Sequence, residues 1–108
     1  MKKLKKRTIK AIENLGWRIK EQAEYYELEN WSPAGENLVE TISKGEDLER
    51  QFYELWDNFD EEEHIEMWVE ARHSVSGVPS IKRLCIDAEE ISEMFYSLWQ
   101  TVAEQQGA

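Results

Sequence analysis

Between Ile81 and Val102, apolar side chains fall at Ile81, Leu84, Cys85, Ala88, Ile91, Phe95, Leu98, Trp99 and Val102. A 3–4 spacing held this long predicts one amphipathic helix of about six turns, a rod of about 30 Å. That is roughly the width of a small domain. A chain of 108 residues makes one domain, 1–108, and this helix is expected to organise its core. Val78-Pro79-Ser80 begins the helix, with Pro79 at or near N1, where its missing amide is not needed. The same stripe places Cys85 in the core as a small hydrophobe.

The preceding segments supply what packs on the rod. Leu4, Thr8 or Ile9, Ala11, Ile12 and Leu15 recur at helical spacing and predict a basic helix over 1–15, closed by Gly16 at C′. Residues 16–43 are rich in Trp, Tyr, Ile and Val with rough alternation, and read as an antiparallel sheet with strands near 17–21, 24–31 and 36–42. Ser32-Pro33-Ala34-Gly35 is the turn between two of them, Pro presetting φ and Gly taking the left-handed position. The first turn, Glu21 to Ala23, has no Gly. Residues 47–105 form the helical part, where Leu48, Phe52, Leu55, Trp56 and Phe59 line one face of a helix before the last one. The fold class is α+β: an N-terminal helix, a small three-stranded antiparallel sheet, and two or three C-terminal helices packed on it.

The stretch DNFDEEEHIEMWVEARH, residues 57–73, holds both histidines among a crowd of carboxylates. Its first meaning is structural. Asp60 followed by Glu63 is a capping-box pattern, and Glu61, Glu62 and Glu63 in the first turn favour the helix dipole. Ile65, Trp68 and Val69 form the expected buried stripe of this 61–72 helix. His64 and His73 stand nine residues apart, on opposite faces, and cannot share an ion from one helix. Asp60 or Glu61 with His64 supplies two ligands where zinc needs three or four, and only a distant group such as Cys85 could complete the set. No EF-hand loop is present. The expectation is no metal and no cofactor. A nucleophile–base pair would have to join Cys85 to His64 or His73, and no phosphate-loop, dinucleotide or His-Glu-x-x-His motif occurs. The chain does not read as an enzyme.

Charge is what remains. Residues 1–20 carry eight Lys/Arg against Glu13 alone, whereas residues 21–73 carry seventeen Asp/Glu against Lys44, Arg50 and Arg72, within a net charge of −10. With five Trp, four Tyr and three Phe the chain is too aromatic for a disordered acidic tail. Glu62, Glu63, Glu66 and Glu70 fall on one outer helix face, Glu54 and Asp57 extend it on the helix before, and Glu24, Glu27, Glu29, Glu36 and Glu40 decorate the sheet. Such a surface repels nucleic acid and attracts basic grooves. Trp31, Tyr53 and Trp68 are candidate apolar anchors. No run approaches the ~20 residues of a membrane span, nothing directs export, and one cysteine suits a reducing cytoplasm.

The segments ENWSPAGENL, FDEEEHIEMWVEAR and GVPSIKRLCIDAEEISEM, within residues 25–100, resemble a set of small acidic proteins encoded on phages and mobile elements of gut bacteria. Those proteins repeat an SPAGE turn, an EHxEMWxEA helix and a GVPS lead-in to a last helix. The resemblance implies an inhibitor of host defence acting in the host cytoplasm, in the manner of a type II-A anti-CRISPR that binds Cas9. On that expectation the protein is a non-enzymatic inhibitor docking its acidic face on a nucleic-acid channel of a basic, Cas9-type nuclease. The alternative is an adaptor of the mobile element whose basic 2–20 segment touches nucleic acid or membrane while the acidic body binds a protein.

Overall fold

The computed structural model describes residues 2–107; Met1 and Ala108, the ends of the expected basic helix and of the chain, lie outside the description. The element order is α1 (Lys6–Asn14), β1 (Arg18–Glu21), β2 (Tyr25–Trp31), β3 (Asn37–Ser43), α2 (Leu48–Asp57), α3 (Glu61–Ala71) and α4 (Ile81–Gly107). This is the expected α+β order, and each strand end lies within one residue of its place in the alternation. No helix of the described residues is long and apolar enough to cross a membrane.

The first helix starts later than its periodicity suggests. Lys2 donates its amide to the Lys44 carbonyl at 2.9 Å, and Leu4 donates to the Tyr26 hydroxyl at 3.0 Å. These bonds hold residues before Lys6 extended against the sheet, although Leu4 is still buried. The helix ends as Gly16 requires. Gly16 sits at φ +102°, its amide bonds Glu13 O, and the Trp17 amide bonds Ile12 O, the paired bonds of a Schellman motif. Trp17 and Ile12 are both buried in the core, completing the apolar contact of that motif.

The sheet is a meander in the order β1-β2-β3, antiparallel throughout. Its first hairpin turns without glycine, closed by the Gln22 amide on Tyr25 O at 2.8 Å. Register pairs Tyr26 with Ile42, Leu28 with Glu40 and Asn30 with Leu38, which defines the row facing the helices. Tyr26, Leu28, Leu38 and Ile42 are buried there. Glu40 shares that row, so it does not decorate the outer sheet as its sequence context suggests.

α4 is the rod the sequence demands. Its 27 residues, about 40 Å long, run almost the full 44 Å of the molecule. Leu84, Ala88, Ile91, Phe95, Leu98 and Val102 are buried along one line, and α1, α2 and α3 all pack on this helix. Two expectations at its start are corrected. Ser80 is the cap, its Oγ accepting the Arg83 amide at 3.2 Å, so Pro79 precedes the cap rather than occupying N1. Cys85 is exposed, because it falls about 100° around the helix from Leu84, off the buried line. Ile81, in the first turn, is exposed too.

α2 is capped by Asp47, which accepts the Arg50 amide, and Gln51 grips the end of β3 with two bonds to the Ser43 backbone. Its aromatic face stacks on α4: Trp56 lies 5.5 Å from Trp99 and Tyr53 lies 5.0 Å from Trp99, centroid to centroid.

Candidate functional site

α3 is short and buries no residue completely, so its placement depends on a few directed contacts. Asp60 accepts the Glu63 amide at 3.1 Å, as the capping pattern requires. A return bond from Glu63 to the Asp60 amide is not made among the described residues, so the cap works from one side only. At the other end Arg72 donates Nη2 to Pro79 O at 2.7 Å, tying the helix to the loop that leads into α4. At 100° per residue, His64, Ile65, Trp68, Val69 and Ala71 share the inner half of α3, and all five are partly buried. The expected Ile65-Trp68-Val69 stripe is therefore half-buried rather than buried, and His64 belongs to it.

Glu62, Glu63, Glu66 and Glu70 occupy an outer arc of about 100° and are all exposed. Met67, 52% exposed, flanks that arc. The acidic surface continues around the α2–α3 corner. One concavity is lined by Asp57, Asp60, Glu61, Glu62 and Glu63, and it shares Asn58 and Phe59 with a second. The second, about 380 Å³, carries Glu40, Glu46 and Glu54 over a floor of Ile42, Leu55, Phe59 and Phe95. Among the described residues, Glu54 alone of these acids is paired, with Arg50 on its own helix at 3.2 Å. Asp57, Asp60, Glu61, Glu62, Glu63, Glu66 and Glu70 make no ion pair among the described residues. Of the anchors read from sequence, Trp31 is exposed, Tyr53 is half-buried in the α2–α4 aromatic stack, and Trp68 is half-buried beside the SPAGE turn.

Burial pushes the Glu40 carboxyl above its ordinary pKa. The charged form is thus disfavoured in the fold, so the penalty is present at neutral pH and relieved as pH falls through the range where the folded carboxyl protonates. Glu40→Gln should raise the melting temperature at pH 7, and the gain should shrink towards zero near pH ~4, where unfolded carboxyls also protonate. Thermal melts of both proteins across that range measure it; an equal gain at both ends would place the effect in packing.

A second constellation lies behind α3, where the inner face meets the SPAGE turn and α4. The turn is built as its residues suggest: the Gly35 amide bonds Ser32 O at 2.8 Å, and Gly35 takes φ +93°. Asp87, 2% exposed on α4, secures it from beneath. Its Oδ1 accepts the Ala34 amide at 2.9 Å and its Oδ2 accepts the Ser32 hydroxyl at 3.1 Å, while Ser32 Oγ accepts the Glu36 amide. His64 reaches the same point from α3. Its Nε2 is 2.8 Å from Glu36 Oε2, within ion-pair distance, yet neither atom has a hydrogen-bond partner among the described residues. One ligating atom from each of Glu36, His64 and Asp87 lies within 4.8 Å of the other two.

No family model, curated protein or solved structure matches the chain.

The segments SPAGE, EHIEMWVEA and GVPS do meet in space: a cleft of about 150 Å³ is lined by Ala34, Gly35 and Glu36, by Trp68, and by Gly77 and Pro79, with Leu84 and Asp87 behind. The sequence places candidate partners for His64 on its own helix and at Cys85. The structure supplies Glu36 and Asp87, which are 28 and 23 residues away in the chain. The one local signal was Asp87 itself, a carboxylate on the inner stripe of a helix that is otherwise apolar there. His73 is exposed and joins neither group.

Asp87 therefore holds two donors in a buried place. Asp87→Ala should cost about 2–4 kcal/mol, since two bonds to a charged acceptor are lost and the Ser32 and Ala34 donors are left unpaired. Asp87→Asn, which keeps one acceptor oxygen, should cost about half as much. Denaturant titration in chelator measures both; equal losses would mean that volume, not hydrogen bonding, sets the cost.

Proposed function

We propose that this chain is a non-enzymatic binding protein that lays its acidic band on a basic protein surface, and that the surface is one of a Cas9-type nuclease that normally receives guide or target strand. The observation that carries the reading is the unpaired run of carboxylates from the α2–α3 corner along the outer arc of α3. Duplex DNA carries about one charge per 1.7 Å of axis, so a channel built for it attracts a rigid array of carboxylates. The 380 Å³ concavity adds a recognition element: an apolar floor under Glu40, Glu46 and Glu54 suits the stem and head of a partner's Lys or Arg. Met67 at the edge of the arc supplies the deformable apolar contact that interfaces favour. The resemblance to small acidic mobile-element proteins supplies the choice of nuclease.

The test is a cleavage assay with purified Cas9-type effector, guide and target, with and without this protein, at low and moderate salt. Inhibition should appear and should weaken as salt rises. If cleavage and target loading are untouched across several such effectors, the nuclease reading fails. The adaptor reading predicts a different pattern, in which partner or nucleic-acid capture is lost on neutralising Lys2, Lys3, Lys5, Lys6 and Lys10, all of which are exposed.

A further inference from the structure

We propose that Glu36, His64 and Asp87 form a binding site for one divalent transition-metal ion, with Zn²⁺ the best-matched chemistry. The donor set is one imidazole nitrogen and two carboxylate oxygens, carried by three separate parts of the fold. Zinc takes this mixture with three protein ligands and an open fourth position, whereas calcium demands six to eight oxygens and magnesium is held largely through waters. Tetrahedral zinc bonds of about 2.0–2.2 Å place two ligand atoms roughly 3.3–3.6 Å apart. The observed spread, within 4.8 Å, therefore closes on an ion with side-chain shifts of up to about an ångström.

The second observation is independent of the clustering. The His64 side chain is only 10% exposed, and its Nε2 and the facing Glu36 Oε2 are buried without hydrogen-bond partners. Buried polar atoms are nearly always partnered. The two atoms lie 2.8 Å apart, within ion-pair distance, and yet make no hydrogen bond to each other or to any other described residue. A shared cation satisfies both at once. Asp87 already has the support a ligating carboxylate receives elsewhere, because the Ser32 hydroxyl and the Ala34 amide hold its orientation and leave lone pairs free. The cleft beside Glu36 and Asp87, about 150 Å³, gives an approach and room for water at the open position. The Phe59 ring, 5.2 Å from the imidazole, closes another side.

The consequence is mechanical. Among the described residues α3 packs chiefly on α4, and the ion clamps it to both α4 and the SPAGE turn. Binding energy then becomes folding energy for this region. The inference stands whether or not the acidic face binds a nuclease.

The experiment uses chelator-treated full-length protein titrated with Zn²⁺ alone, read by calorimetry, by elemental analysis after dialysis, and by thermal melts. One Zn²⁺ per chain is expected. With Zn²⁺ at 100-fold above Kd, the melting temperature should rise by roughly 10 °C. His64→Ala and Glu36→Gln should each weaken binding at least ~10-fold and remove the shift, while His73→Ala and Cys85→Ser should leave both unchanged. Circular dichroism of the metal-free variants separates loss of the site from loss of the fold. No stoichiometric zinc, or zinc that survives His64→Ala but not His73→Ala or Cys85→Ser, would overturn the site; in the former case the pair is a His64–Glu36 contact only.

Discussion

Leu98→Ala should lower stability by about 2–5 kcal/mol, and Ile91→Ala by a similar amount. Both side chains are fully buried, on the line where α4 meets the sheet and the flanking helices. Truncation removes buried methyl groups and leaves a cavity that a rod pinned along its whole length cannot collapse to fill. For a domain of this size each kcal/mol is worth about 4–8 °C, so the melting temperature should fall by 10 °C or more. A loss below ~1 kcal/mol for both variants in thermal or denaturant melts would remove α4 from the centre of the core. Cys85→Ala is the built-in contrast. The periodicity that makes Leu98 a core residue also assigns Cys85 to the core, yet Cys85 is exposed, and its truncation should cost within ~0.5 kcal/mol.

That contrast shows where sequence reasoning works here. Periodicity is a property of one segment, and long regular segments report it well: α4, the alternation of β2 and β3, the Gly16 terminus and the Asp60 cap were all legible because each is decided within a few residues. What a helix end or a strand face meets is decided elsewhere. Glu40 has the composition of a surface residue, but its register with Leu28 turns it towards Phe59 and Phe95. His64 looked like the fifth member of an acidic capping run, but the rotation of α3 turns it inward while Glu62, Glu63 and Glu66 turn out. Asp87, a carboxylate on an apolar stripe, signals a buried partner without naming it, and Glu36 gives no sign of meeting His64, since nothing in one dimension relates a turn, a helix start and a mid-helix carboxylate. The acidic face is the opposite case: four positions within one helix determine it, so it was legible residue by residue, and its partner was not.

Replacing Glu62, Glu63, Glu66 and Glu70 together by Lys should reduce association with a basic nuclease surface by about 10–100-fold, chiefly through the on-rate, and should abolish most inhibition in a cleavage assay. No one of these residues is expected to matter much, because an exposed charge at an interface rim is worth well under 1 kcal/mol when screened. The effect comes from reversing four neighbours on one rigid arc, which turns a local attraction into a repulsion. The variant should still fold, since all four side chains point away from α4, though losing first-turn acids at Glu62 and Glu63 costs about 0.3–1 kcal/mol each from the helix dipole. A second variant separates the face from the net charge. Glu24, Glu27, Glu89 and Glu104 are exposed and lie off α3, and their replacement by Lys changes the total charge equally. If docking uses the outer arc of α3, this variant should inhibit nearly as well as the wild type and show a similar salt dependence. Equal loss in both variants would mean that diffuse charge, not the arc, does the binding. Equal retention would remove electrostatics from the mechanism and leave the apolar contacts at Met67 and Trp31 to be tested next.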